Sequence, residues 1–123
     1  MKRILFLLLL LSSCYSVERS CVDFETGVFE FSTSINDSII TSTFTRTDKY
    51  EIETFNGVKD SSIIKWVNEC EFLLTKIKPK TNQEKRPIRI KILRTYGDQY
   101  DFEFSAVNNP DKISRCTVIK VSK

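Results

Sequence analysis

The chain contains no histidine among its 123 residues, and this absence excludes several kinds of chemistry. Without an imidazole there is no Ser-His or Cys-His dyad, no histidine-ligated metal site and no imidazole pH switch. Only three glycines and three prolines are present, beside 11% aromatic residues, which excludes a collagen-like, linker-like or disordered chain. The 41% hydrophobic and 28% charged residues are typical of a folded protein, and the length predicts one domain.

Long apolar runs are also lacking, apart from one short run at the N-terminus. Lys2 and Arg3 precede residues 4–11, which are all apolar, and two serines and Cys14 follow. A basic start, a short apolar run and small residues at its end indicate an export signal. Eight apolar residues span about 12 Å as a helix, much less than the ~30 Å of a bilayer core. A transmembrane anchor is therefore not expected.

The segment Leu11-Ser12-Ser13-Cys14 resembles the lipobox of bacterial lipoproteins. In that family the signal is cleaved before the cysteine, so the resemblance implies that Cys14 carries acyl chains and anchors the protein to a membrane of the cell envelope. This divides the chain into a lipoprotein signal peptide at 1–13, a tether at 14–23 and a folded domain at 24–123. The alternative is a secreted or periplasmic protein that is cleaved after Ser16 and carries no lipid.

The charge balance argues against nucleic-acid binding. The chain has 19 basic and 16 acidic residues, a net charge of +3. Removal of the signal takes Lys2 and Arg3 with it and leaves 17 basic against 16 acidic residues. A nucleic-acid-binding protein needs a strongly basic face to neutralise phosphates. We therefore expect no nucleic-acid partner.

After Cys21, apolar and polar residues alternate with a period of two. The alternation is clearest in residues 88–92 and 100–106, and it is typical of half-buried strands. It predicts eight strands, near 27–32, 38–46, 50–56, 62–67, 70–77, 88–96, 100–107 and 114–122. The expected fold is all-β, an eight-stranded antiparallel up-and-down meander that closes into a small barrel, because closure leaves no exposed sheet edge.

The connections predict a barrel whose two ends differ. The parity of the apolar positions favours three-residue loops at 47–49 and 97–99, and 68–69 reads as a two-residue turn. The other connections are expected to be longer, at 33–37, 57–61, 78–87 and 108–113. Because alternate connections of a meander lie at opposite ends, the long loops should form a rim at one end.

The predicted interior face is bulky and aromatic. It consists of Phe29, Phe31, Ile40, Phe44, Tyr50, Ile52, Phe72, Ile90, Phe102 and Phe104. The carboxylates of Glu51, Glu53, Asp101 and Glu103 should then face solvent, and nothing in the pattern holds two of them together in a cleft as in a glycosidase. Serine and threonine are abundant but have no base to activate them. We expect no catalytic residues, no cofactor and no enzymatic activity.

An eight-stranded meander with long loops at one mouth resembles the lipocalin and fatty-acid-binding (calycin) architecture. In those families a Gly-x-Trp on the first strand packs against an Arg near the last strand. Gly27-Val28-Phe29 and Arg115 occupy comparable places here. The chain is also similar to small lipocalin-like lipoproteins of Gram-negative bacteria, in which a Thr-Gly-x-Phe segment precedes a Trp-x-x-x-Cys hairpin, as at 26–29 and 66–70.

Three cysteines remain if Cys14 carries the lipid. Cys21 lies just before the first strand and Cys70 opens the fifth, both at the short-turn end, whereas Cys116 opens the eighth strand at the other end. This placement predicts a Cys21–Cys70 disulfide, with Cys116 free and buried. The alternative is three free thiols packed as small apolar groups. The scattered spacing, without C-x-x-C, predicts no metal site.

The connection between the fifth and sixth strands is the most basic part of the chain. Its candidate contact residues are Lys78, Lys80, Lys85, Arg86 and Arg89. On the rim they could bind an anionic ligand, a lipid headgroup or an acidic protein surface. The alternative is that these charges are only solvated.

Two functions are compatible with this sequence. The first is an exported, lipid-anchored, non-catalytic binding or envelope-interaction module that meets its partner at the rim. The second is a lipocalin-like carrier that holds a small apolar ligand inside the barrel. Interior volume distinguishes them, because a carrier needs a ligand-sized cavity, whereas an interaction module can have a solid core.

Overall fold

The computed structural model describes residues 19–123, so the signal peptide and Cys14 lie outside the described residues. A short 3-10 turn precedes eight strands that are rich in threonine, isoleucine, phenylalanine and tyrosine, as strand propensity favours. The turn is Cys21–Phe24, and the strands are β1 (Gly27–Ile35), β2 (Ser38–Arg46), β3 (Tyr50–Phe55), β4 (Val58–Asn68), β5 (Glu71–Lys76), β6 (Ile88–Tyr96), β7 (Gln99–Ala106) and β8 (Ser114–Ser122).

The eight strands form a closed barrel in chain order. Every strand pairs antiparallel with the next, and β8 pairs with β1 through residues 28–30 of β1. The predicted up-and-down barrel is therefore confirmed. This topology is consistent with a lipocalin-like fold.

Two connections that were expected to be long are tight turns. Asn36 and Asp37 join β1 to β2, and both have positive φ angles, 49° and 64°. Asn56 and Gly57 join β3 to β4, with φ angles of 49° and 76°. Positive φ at both central positions defines a type I′ turn, which matches the twist of hairpin strands. The predicted loops at 33–37 and 57–61 are thus wrong, because β1 and β4 run further than expected.

The two ends of the barrel still differ. At one end, which we call the mouth, the two tight turns stand beside long connections at 77–87 and 107–113. At the other, which we call the closed end, all the strand connections are short. The rim of long loops is therefore present on one side of the mouth only.

The turn between β2 and β3 contains one residue more than predicted. Arg46 pairs with Glu51, so four residues separate the paired positions. The reason is Thr47, whose Oγ1 accepts the Tyr50 amide at 3.0 Å while its own amide donates to the Tyr50 carbonyl at 2.8 Å. One extra residue exchanges the two faces of a strand. β3 therefore turns Glu51 and Glu53 inward.

The predicted orientation of β3 is consequently wrong. Tyr50 and Ile52 were expected inside, but they share the outer face, and Tyr50 is 45% exposed. Glu51 and Glu53 were expected in solvent, but both are only partly accessible and line the interior. The other two carboxylates, Asp101 and Glu103, pair with Arg94 and Arg115.

The β6–β7 turn is one residue shorter than predicted, whereas the β4–β5 turn has its predicted two residues but begins one position later. Tyr96 pairs with Gln99, so the β6–β7 turn has two residues. A β-bulge between Ile92 and Arg94 then places Ile92 opposite Phe102, so the even-numbered residues of both strands share one face, as predicted. Between β4 and β5 the turn is at 69–70, and a second bulge lies before Asn68. Each bulge adds one residue to one strand, so that even-numbered residues lie opposite even-numbered residues beyond it.

The 3-10 turn closes the barrel at its closed end. Phe24 is 2% exposed and its ring centroid lies 5.1 Å from that of Tyr100. The Ser20 amide donates to Thr95 Oγ1 at 2.7 Å, and Lys120 Nζ donates to the Asp23 carbonyl at 2.6 Å. Residues 20–24 are thus packed onto the strands.

The Cys21–Cys70 disulfide is present, as predicted, and fastens this turn to the start of β5. The two Cα atoms are 5.3 Å apart and 49 positions separate the residues. Closing a loop of that length lowers the entropy of the unfolded chain, an effect of about 4 kcal/mol. Cys116 is free, but it is half-buried and not fully buried as expected.

Candidate functional site

The interior of the barrel is divided into a filled half and an open half. Toward the closed end, Phe29, Phe44, Ile92, Tyr100 and Val118 are all at most 5% exposed and pack together. Toward the mouth lies an open cavity of about 740 Å³. Cavities of roughly 300–1,000 Å³ are typical of small-molecule sites. The open half is therefore the candidate functional site.

Arg46 forms the boundary between the two halves. Its side chain is 1% exposed, and it donates to the Phe24 carbonyl at 2.7 Å and to the Tyr100 hydroxyl at 2.9 Å. The guanidinium carbon lies 4.6 Å from the Phe29 ring centroid and 4.7 Å from that of Phe72. Aromatic faces attract such a cation, which compensates part of its desolvation.

Arg115 does not pack against Phe29, although the resemblance to the lipocalins implied that it would. Its side chain is 73% exposed and its Nε lies 3.8 Å from Glu103, its neighbour in the β7–β8 register. The arginine that packs on Phe29 is Arg46, from the second strand. The physical reason is parity, since Arg115 precedes the inward position Cys116, which pairs with Phe102.

Glu51 lines the cavity and is the register partner of Arg46 on the neighbouring strand. Its Oε1 lies 3.7 Å from Arg46 Nη2, an ion pair too long for a hydrogen bond, and its side chain is 11% exposed. Burial raises the pKa of the Glu51 carboxyl, and the nearby charge of Glu53 adds to this, against the opposing attraction of Arg46. Within residues 19–123, the buried Oε2 of Glu51 has no hydrogen-bond partner.

Glu53 lies next to Glu51 on the same strand face. It accepts a hydrogen bond from Ser42 Oγ at 2.8 Å, and Ser42 is itself 4% exposed. Two carboxylates thus line one wall of the cavity. The opposite wall is apolar and consists of Leu74, Ile88 and Phe104.

An ion triad lies higher in the cavity, near the mouth. Lys76 Nζ is 2.8 Å from both Asp60 and Glu84. Hydrogen bonds to these two carboxylates raise the pKa of Lys76. Glu84 also accepts the amides of Lys80 and Thr81. The triad therefore ties the long β5–β6 connection to the barrel wall.

The basic candidates from the sequence fall into two groups. Lys78, Lys80, Lys85 and Arg86 are exposed on the β5–β6 connection, and Arg86 lines the cavity. Arg89 lies on β6 and its guanidinium contacts Glu71. Burial would raise the pKa of Glu71, but the hydrogen bonds from Arg89 and Asn68 outweigh it and lower the pKa. Four of the five thus lie on one connection, and Arg89 lies on the strand that follows it.

Sequence reasoning missed Arg46, Glu51 and Glu53. The signal that could have found them is charge complementarity across the turn, because a four-residue turn places Arg46 opposite Glu51 and Phe44 opposite Glu53. Thr47 at the start of that turn is a second signal, since threonine hydroxyls bind nearby amides.

Residues 19–123 contain no group of three or more histidine, cysteine or acidic side chains that could hold a metal ion. In the same part of the chain, no helix has both the length and the apolar character needed to cross a bilayer.

Comparison of the chain with known protein families, with curated proteins and with solved structures gives no match.

Proposed function

We propose that this protein is an exported, non-catalytic binding module that holds a small ligand in the open half of its barrel. The observation that carries the proposal is the cavity of about 740 Å³ above Arg46, with an apolar wall facing an acidic one. Sites of this kind bury most of a small ligand and orient it with a few polar groups. A barrel with a solid core would have favoured a purely surface-acting module.

Export is supported by the disulfide. Bridges such as Cys21–Cys70 persist in oxidising compartments outside the cytosol. The resemblance to bacterial lipoproteins further implies a lipid on Cys14, in a small lipocalin-like lipoprotein of the cell envelope. Because Ser20 packs at the closed end, a tether from Cys14 would place that end toward the membrane and the mouth away from it.

A second candidate function uses the outer surface of the mouth. Lys78, Lys80, Lys85 and Arg86 are all exposed on one connection, while the nearby Glu84 is already paired with Lys76. This leaves a basic surface that favours an anionic ligand or an acidic protein partner. Such a partner would bind beside the entrance of the cavity.

One experiment tests the proposal. The native protein, purified gently from both the membrane and the soluble fraction, is analysed by native mass spectrometry beside the variant Ser62→Trp. Ser62 lines the cavity, so tryptophan there occupies ligand space. Ser61→Trp is the matched control, because Ser61 lies on the opposite face of β4 and pairs with the outward Ile52.

The expected result is an acylated chain that starts at Cys14 and retains a small molecule, which Ser62→Trp loses and Ser61→Trp keeps. A chain that starts at Val17 without lipid would refute the anchoring. Equal ligand retention, or equal absence of ligand, in all three proteins would refute binding in the cavity.

A further inference from the structure

We propose that the ligand is an organic amine, whose ammonium group binds between Glu51 and Glu53 and whose apolar part packs against Leu74, Ile88 and Phe104. This inference rests on the proposed function, since it names the chemical class of ligand for the same cavity.

The first argument is the charge of the cavity wall. Asp60 and Glu84 are both neutralised by Lys76, which lies 2.8 Å from each. Glu53 has no such partner in the described part of the chain, since its contact there is the neutral hydroxyl of Ser42. Glu51 faces Arg46 only at 3.7 Å. Two carboxylates thus share one guanidinium, which leaves a negative charge beside the apolar wall.

The second argument is an unpartnered acceptor. Glu51 is about nine-tenths buried, with 11% of its side chain exposed, and it lines the cavity. Its Oε2 has no hydrogen-bond partner among the described residues, and neither has the Nε of Arg46; both atoms are almost inaccessible to solvent. A buried charged oxygen without a donor is strongly unfavourable. A rotation of the Glu51 side chain that brings this oxygen into the cavity would let an ammonium group supply both the donor and the opposite charge.

An anionic ligand fits this part of the cavity less well. Among residues 19–123, the cation next to the acid pair is Arg46, which is 1% exposed and is not part of the cavity lining. Its Nη atoms already donate to Phe24 and Tyr100. Arg86 and Lys112 also line the cavity, but both are exposed and lie on the mouth connections. An anion would therefore stay at the entrance, whereas a cation would go to the acid pair.

The acid pair also predicts how binding depends on pH. The charged and titratable groups that face Glu51 are Arg46 from β2, Glu53 from its own strand and Tyr100 from β7; Lys76 and Asp60 line the same cavity. Burial favours the protonated form of Glu51 in the free protein, whereas a bound ammonium favours the carboxylate. Amine binding should therefore release a proton and weaken as the pH falls.

The test uses three probes with the same six-carbon chain: hexylamine, hexan-1-ol and hexanoate. Isothermal titration calorimetry at pH 7.5, with the intact protein, should show hexylamine binding at least about tenfold more tightly than the other two. Titrations repeated at lower pH should show hexylamine binding weakening as the pH falls, with no such change for hexan-1-ol.

Glu51→Gln and Glu53→Gln are the test variants, and Glu103→Gln on the outer face is the control. Each of the two substitutions in the cavity should weaken hexylamine binding about tenfold or more and leave the binding of hexan-1-ol unchanged. Because Glu51→Gln changes the buried ion pair with Arg46, circular dichroism should be used to check that the variant folds. Glu53→Gln tests the same prediction without changing that pair.

The outcomes separate the two proposals. If hexanol or hexanoate binds as tightly as hexylamine, and Ser62→Trp abolishes that binding, the cavity binds ligands but the amine inference is wrong. If hexylamine binding is unaffected by both glutamine variants, the inference is also wrong. If none of the three probes binds and the native protein retains no ligand, the proposed function itself fails.

Discussion

The two halves of this barrel use similar strands for opposite purposes. In the closed half, Phe29 and Tyr100 are 0% and 1% exposed, and Arg46 donates hydrogen bonds across the space between strands. In the mouth half, the inward positions carry Glu51 and Glu53 around an open cavity. The comparison teaches that stability is concentrated at one end, which leaves the other end free to carry polar groups that a packed core would exclude.

The largest difference between the halves should appear when one phenylalanine is removed from each. Phe29→Ala deletes a fully buried ring at the centre of the closed half and should lower the free energy of unfolding by about 3–5 kcal/mol. Phe104→Ala removes a ring that borders the open cavity, so it should lower the free energy of unfolding by only about 1–2 kcal/mol. Urea denaturation followed by circular dichroism measures both. Equal losses would contradict a division into a stabilising half and a binding half.

The disulfide gives a second, smaller effect that is confined to the closed half. The double variant Cys21→Ser, Cys70→Ser should lose about 2–4 kcal/mol of unfolding free energy, because the unfolded chain regains its loop entropy. Ligand affinity should be unchanged once the variant is folded, since neither residue lines the cavity. Cys116→Ser is the control and should lose less than the double variant. A loss of affinity at full folding would show that the two halves are coupled.

The smallest effect concerns pH and belongs to the mouth half. Because the pKa of Glu51 is raised in the folded protein, the folded state holds its proton at a pH where the unfolded chain has released it. The contribution of Glu51 to stability is therefore greatest below its ordinary pKa and is lost as the pH rises through its folded pKa. Asp101 and Glu71, whose pKa values are lowered, act in the opposite direction.

Thermal denaturation of the wild type and of Glu51→Gln, from acidic to neutral pH, measures how the contribution of Glu51 to stability depends on pH. The stability of the wild type relative to the variant should fall as the pH rises, because glutamine does not titrate. Glu103→Gln serves as the matched control, since Glu103 lies on the outer face beside Arg115. A difference between wild type and Glu51→Gln that stays constant with pH would show that burial does not shift this carboxyl.

The barrel itself could be predicted because its signals are local. The alternation in β6 and β7 marks both strands and their inner faces, and the placement of Cys21 and Cys70 at one end follows from the meander alone. The tight turn at Asn56-Gly57 could also have been predicted, since this dipeptide is a strong hairpin signal. The fourth strand was instead predicted to begin at residue 62, four residues too late, which produced a long loop that is not there.

The site could not be predicted in the same way. The alternation of β3 is equally regular in both registers, with Tyr50 and Ile52 on one face and Glu51 and Glu53 on the other. Because Tyr50 and Ile52 are the more hydrophobic pair, the sequence alone favours an interior position for them. The hydrogen bonds of Thr47 in the turn, together with Arg46 below, select the second pair. Burial of charge is acceptable there because the cavity remains open and Arg46 is close.

The sequence by itself determined the class of fold, the order of the strands and the disulfide, because each follows from a period, a spacing or a chain end. Only the tertiary structure decided which carboxylates line the interior and where the barrel stays open. The physical reason is that one extra residue in a turn reverses every side chain of the following strand, and the stability of that turn depends on contacts made after the barrel closes.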